Sequence, residues 1–246
     1  MYPQPQPDPE LVIVNKELSA KAETTLNANF FRPHDELHIH RGNLPHWRQA
    51  RVTYFITTRL ADSMPQKKLR EWKTKRDAWL AAHALQKPSE IHTLSDDKQH
   101  EFYATFTKAW HQWLDAGCGE CLLSRSDVRE ILIDRLCAEP SLDVWVIMPN
   151  HLHALVAPKD KTLGEVLQNW KGGSAFDINR LLGRGGPFWQ KETYDHIVRS
   201  ETQFRHYRRY IAENPLKARL EPHSYSVGFG QQQFKVASAL AEALNP

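Results

Sequence analysis

Two histidines separated by one residue, His151-Leu152-His153, open an apolar stretch that directly follows another. Strand side chains alternate faces, so both imidazoles point one way and Leu152 the other. Two imidazoles on one pleated face can share a divalent cation, and burying them unpaired is costly. The same spacing in His38-Ile39-His40 lies between Asp35-Glu36 and Arg41-Gly42-Asn43, a polar setting that predicts a solvated loop. Further along, Tyr210 and Asn214 are spaced so that a helix presents a phenol and an amide on one surface. Two imidazoles and an amide oxygen make a mixed N/O set able to hold Mg²⁺ or Mn²⁺ with coordination positions left open. A tyrosine beside them can act as a nucleophile. Free tyrosine has a pKa of about 10, so only about one in a thousand is phenolate at neutral pH. Positioning, nearby positive charge and a metal-polarised electrophile must activate it. A phosphodiester suits that apparatus, because its non-bridging oxygen binds the metal.

These residues need elements to hold them. Leu142 to Met148 and Leu152 to Ala157 are apolar runs joined by Pro149-Asn150, which predicts adjacent antiparallel strands. Val52 to Thr57 is β-branched and aromatic and predicts an earlier strand, and Phe188 to Val198 predicts one or two short ones. Helical periods follow: Leu69, Trp72, Arg76, Trp79 and Leu80; then Phe102, Phe106, Ala109, Trp110 and Trp113; then Val128, Ile131, Leu132 and Leu136. Thr162-Leu163-Gly164-Glu165 is a capping box opening a fourth helix to about Leu182. Ser200-Glu201-Thr202-Gln203 opens a fifth, expected to stop near Asn214 because Pro215 follows. Phe204, Tyr207 and Ile211 form its core stripe, with Gln203, His206, Tyr210 and Asn214 on a second stripe. The order predicts an α+β domain with an antiparallel sheet.

Composition sets the outer limits. The 246 residues suit one large domain or a core with a long insertion, and the formal charge is only +3. Three cysteines cannot build a disulfide framework, which favours a reducing compartment. Cys118-Gly119-Glu120-Cys121 has no second pair at zinc-ribbon distance and reads as a turn. The early apolar run, Leu11 to Val14, is too short for a signal core or a membrane span. Charge is uneven. Arg199, Arg205, Arg208, Arg209, Lys217 and Arg219 face only Glu201 and Glu213 over residues 199–219, and a second basic cluster lies at Lys67 to Arg76.

A series of motifs spans residues 41 to about 220. It runs Arg41-Gly42-Asn43-Leu44-Pro45-His46-Trp47, Phe55-Ile56-Thr57-Thr58-Arg59-Leu60-Ala61-Asp62-Ser63, Leu114-Asp115-Ala116-Gly117 and Cys121-Leu122-Leu123. It continues with Val146 to Leu155 around the histidines, Gly186-Pro187-Phe188-Trp189-Gln190, and Tyr210-Ile211-Ala212-Glu213-Asn214-Pro215-Leu216-Lys217-Ala218. In this order the motifs resemble the single-tyrosine HUH transposases, especially the bacterial REP-associated tyrosine transposases. The resemblance implies a ferredoxin-like (RRM-like) HUH domain over 41–220, its central antiparallel sheet packed by helices, with a helical insertion at about 65–116 after the first strand. An N-terminal arm (1–40) and a C-terminal tail with a short helix (221–246) flank it. It implies His151, His153 and Asn214 as ligands of Mg²⁺ or Mn²⁺ and Tyr210 as nucleophile. Such enzymes cut single-stranded DNA beside hairpins, here REP-like palindromes, leaving a 5′-phosphotyrosine and a free 3′-hydroxyl; they transpose DNA as monomers or homodimers. A cytoplasmic, nucleoid-associated location away from any membrane goes with that role. Lys171, Arg199, His206, Arg208, Arg209 and Lys217 are the candidate DNA contacts. Two other readings stay open: a domesticated hairpin-binding protein with a silent site, and a metal hydrolase adding His196 or His206 to the histidine pair.

Overall fold

A computed structural model of the chain describes residues 28–41, 45–63, 66–99, 101–102, 104–106, 119–230 and 232–234. Most of the expected N-terminal arm, Cys118, Trp110, Trp113 and the expected helix in the tail lie outside them.

The strands are β1 (His38–Arg41), β2 (Pro45–Arg48), β3 (Tyr54–Arg59), β4 (Leu142–Met148), β5 (His151–Val156), β6 (Tyr194–Ile197), β7 (Ser226–Phe229) and β8 (Gln232–Phe234). Helices with both ends among the described residues include α1 (Gln66–Ala82), α2 (Ser126–Cys137), α3 (Leu163–Leu167), α4 (Ser174–Leu181) and α5 (Glu201–Lys217). Six strands form one sheet in the order β6-β3-β5-β4-β7-β8, each antiparallel to its neighbours. From β3 to β6 the chain runs strand, helix, strand, strand, helix, strand, and those strands lie with the last beside the first. That is the split βαβ arrangement of an RRM-like α+β domain.

Alternation divides the sheet into two apolar faces. Tyr54, Ile56, Trp145, Ile147, Leu152, Ala154 and Val156 pack against Val128, Leu132 and Leu136 of α2 and against Leu163, Val166, Trp170 and Ile178 of α3, α4 and the turn between them. Phe55, Val144, Val146, Met148 and Leu155 point the other way, toward Phe204, Ile211 and Ala212 of α5. Every residue of β4 and β5 is buried because helices cover both faces, which explains apolar runs without a polar beat.

Local chemistry sets the helix limits. Thr162 caps α3, its hydroxyl accepting from Glu165 N at 3.2 Å while the Glu165 carboxylate accepts from Thr162 N at 2.7 Å. A π-helical turn over Gln168–Gly173 joins α3 to α4, within the single helix expected from the sequence. At Gly173 an added Cβ would lie 2.5 Å from the Arg135 guanidinium, so a side chain there would push that guanidinium aside. Ser200 caps α5 by accepting from Gln203 N. The helix does not stop at Asn214 but runs through Pro215 to Lys217. Pro215 removes only one late hydrogen bond, and the end closes with Leu220 N donating to Pro215 O and Arg219 N to Leu216 O.

Between β3 and α2, among the described residues, Trp72, Leu80, Ile91, Phe102 and Phe106 make a separate apolar cluster. The two ends of this stretch meet, with Glu120 N donating to Asp62 Oδ2 at 2.7 Å. His38–Arg41 corrects the expected loop. It is a strand paired with β2 in a hairpin outside the main sheet, although His38 is exposed beside Glu36. The sequence context hid this because the partner strand begins after a turn and adds few apolar residues.

Candidate active site between the sheet and helix α5

His151 and His153 lie on the β5 face that α5 covers, and they are 1% and 0% exposed. Their rings are 4.7 Å apart between centroids. The hairpin turn places Asn150 beside His151, with Asn150 Oδ1 at 2.6 Å from His151 Nδ1. An amide oxygen only accepts, so Nδ1 carries the proton and Nε2 the lone pair. Thr57, opposite His153 in the β3–β5 register, holds His153 Nδ1 at 2.7 Å through Oγ1. Both imidazoles are therefore fixed at Nδ1 by a neighbouring side chain, the arrangement that orients a metal-binding Nε2.

Helix α5 supplies the phenol. Tyr210 Oη lies 3.5 Å from His153 Nε2, and the two rings are 5.3 Å apart. Tyr207, one turn earlier, stacks on Phe55 at 4.2 Å, and burial pushes its hydroxyl above the ordinary tyrosine range, with Arg199 opposing. Tyr210 is thus the tyrosine next to the imidazoles, and Tyr207 is a packing residue. Asn214 is buried one turn beyond Tyr210. Among the described residues, no three His, Cys, Asp or Glu side chains gather as a metal site. A cation held by His151 and His153 would need amide, water or substrate oxygens to complete its shell.

The remaining expected residues scatter. Arg208 is 2% exposed and reaches inward, Nε at 2.9 Å from Asp143 Oδ2, so it is no surface DNA contact. The guanidinium also lies over Phe204 and Phe229, and sequence charge alone could not reveal a cation on the core side of α5. Burial raises the Asp143 carboxyl to about 6, against the pull of Arg208. Lys217 pairs with Glu213 at 2.9 Å, while His206 and Arg209 are exposed. Arg199 is exposed and lies over the rings of Trp47 and Phe31 at 5.5 and 5.9 Å. Lys171 Nζ donates to Gln190 O, Lys191 O and Thr193 Oγ1, and burial lowers its ammonium to about 8. It lines a groove with His46, Arg48, Lys191 and Asp195. His196 pairs in register with Phe55, level with Leu155 and two strands from β5, about 10 Å away. His196, one of the two third histidines of the hydrolase reading, is therefore not gathered with the pair. Sequence reasoning missed Thr57 and Asn150 as supporting residues; for Asn150, adjacency to His151 in the hairpin was the available signal.

No helix of the described residues is long and apolar enough to cross a membrane. No protein-family model and no curated protein sequence matches the chain. Among solved structures, the chain is similar to a REP-associated tyrosine transposase bound to a REP hairpin, with a TM-score of 0.37 and 15% identity, covering 70% of this chain and 71% of that one.

Proposed function

We propose that this protein is a metal-dependent single-stranded DNA nuclease and strand transferase of the HUH single-tyrosine type, acting beside DNA hairpins. The observation that carries this reading is Tyr210 Oη at 3.5 Å from His153 Nε2, beside a second imidazole on the same face. A phenol beside two oriented imidazoles suits attack on a phosphodiester.

The residues fit a cation at the two Nε2 atoms, with Asn214 as third ligand. Tyr207 lies over Phe55 and Tyr210 over His153, so α5 and β5 run in opposite senses. One helical turn advances about 6 Å and two strand residues about 6.6 Å, which carries Asn214 to the level of His151. Imidazole donors favour Mn²⁺ over Mg²⁺, which prefers oxygen. When bound, the ion polarises a non-bridging phosphate oxygen.

The chain's own residues do the rest. Tyr210 loses its proton and its oxygen bonds to phosphorus; the bond to the 3′-oxygen breaks, and that oxygen leaves with the electron pair and takes up a proton. The products are a 5′-phosphotyrosine and a free 3′-hydroxyl. The bond energy is retained, so attack by another 3′-hydroxyl reverses the step and joins strands. His153 Nε2 can accept the tyrosine proton or hold the ion, but not both at once.

Labelled single-stranded hairpin DNA with Mn²⁺ or Mg²⁺ tests the reading by formation of an adduct that survives denaturation. The adduct is expected with the unaltered protein and with Tyr207→Phe, and is expected to vanish with Tyr210→Phe. An adduct from Tyr210→Phe overturns the assignment. Hairpin binding with no adduct leaves the domesticated binder as the better account.

A further inference from the structure

Arg59 ends β3 directly opposite His151. Cross-strand partners share a face, with Cβ atoms about 4.5 to 5.5 Å apart, so this guanidinium starts beside the imidazole pair. Arg59 is 3% exposed. Its backbone is pinned from both sides: Arg59 O accepts from Gln190 N at 2.8 Å, and Leu60 N donates to Asn150 O at 2.9 Å. The residue after it bridges to Trp189. A permanently charged fork with planar donors is thus built into the floor of the site, on a strand end that cannot shift far.

We propose that Arg59 donates to a non-bridging oxygen of the scissile phosphodiester and stabilises the charge that builds there as Tyr210 attacks. The inference rests on the phosphodiester reading above. The phosphate would lie with the imidazole pair on one side and Arg59 on the other, and Tyr210 would approach from α5. Arg59 gains and loses no proton; its N–H groups hold the equatorial oxygens while the bond from Tyr210 forms and the bond to the 3′-oxygen breaks. Donors fixed in place before reaction act most strongly on the transition state, so rate should respond more than binding.

The test compares the full-length protein with Arg59→Ala and Arg59→Lys under single-turnover conditions, using labelled hairpin DNA and saturating Mn²⁺. Arg59→Ala is expected to slow adduct formation by about 10²- to 10³-fold. Hairpin affinity should change far less, Arg59→Lys should recover part of the rate, and millimolar guanidinium should restore Arg59→Ala saturably. A phosphorothioate at the scissile position, made as separate stereoisomers, keeps the idea testable should Arg59→Ala fail to fold. The unaltered protein should then discriminate between the isomers, and Arg59→Lys should discriminate less. An Arg59→Ala rate within threefold of the unaltered protein overturns the proposal, as does equal use of both isomers by the unaltered protein. Failure of the unaltered protein to form any adduct sinks the phosphodiester reading itself, so the two failures are distinguishable.

Discussion

Replacing Thr57 by Val probes how the imidazole pair is prepared for a cation. Thr57 Oγ1 sits 2.7 Å from His153 Nδ1, and both side chains are buried. The pair has two proton arrangements. With Nδ1–H donating to the hydroxyl, Nε2 presents a lone pair toward Tyr210; with the hydroxyl donating to Nδ1, Nε2 keeps the proton and binds no metal. Valine preserves the shape but removes the acceptor that favours the first arrangement. A buried ring nitrogen left unsatisfied costs about 1–3 kcal/mol, which bounds the expected loss of folding stability. Removing a partner that orients a metal-binding histidine typically weakens affinity about 10- to 100-fold, or about 1.4 to 2.7 kcal/mol. Urea denaturation reads the first quantity, and Mn²⁺ titration by calorimetry together with the Mn²⁺ dependence of adduct formation reads the second. The half-saturating Mn²⁺ concentration should rise about 10- to 100-fold in Thr57→Val and return toward normal in Thr57→Ser. A valine variant with unchanged Mn²⁺ dependence would refute the idea that Thr57 prepares His153.

Three further outcomes follow from the packing around the site. Asp143 is raised to about 6 by burial, so its contribution to stability is present below about 3.8 and lost as pH climbs through 6. Asp143→Asn, which cannot ionise, should escape that loss, so its stability should change less between pH 4 and pH 8 than that of the unaltered protein, measured by urea denaturation. His46 is raised chiefly by its hydrogen bond to Asp195, against burial, so the stability it adds is present below about 6.5 and lost as pH rises through its folded value. His46→Gln should therefore reduce the loss of stability seen in denaturation between pH 6 and 8.5. Arg219 holds φ 53° just past α5, a left-handed conformation that glycine adopts freely. Arg219→Gly should stabilise the fold by about 1 kcal/mol, seen as a higher Tm.

What the sequence revealed was local, and what it concealed was distant. The Pro149-Asn150 hairpin, the Thr162 capping box and the Ser200 cap use residues within a few positions of one another, so spacing alone exposed them. The shared face of His151 and His153 follows from strand alternation in the same way. The partners of those histidines divide by the same criterion. Asn150 is adjacent, whereas Thr57 reaches His153 only through a pairing between strands 96 positions apart. Arg208 misled for a related reason, because its carboxylate, Asp143, lies on another element and turns a surface charge into an interior one. Pro215 misled differently. A proline rule written for helix interiors carries little weight in a last turn closed by its own hydrogen bonds.

The contact between Asp62 and Glu120 has an evolutionary meaning. It closes the neck of the insertion, so the chain leaves the sheet and comes back toward it at two neighbouring points. Loop-closure entropy grows with the logarithm of length, and doubling the intervening chain costs only about 0.6 kcal/mol. Among the described residues, the insertion has an aromatic cluster of its own. Mutation can therefore lengthen, exchange or delete it at little expense to the sheet, while Arg59, three residues before the neck, stays where the strand pairing puts it. The segment is a place where descendants of this chain can acquire new surfaces without redesigning the chemistry.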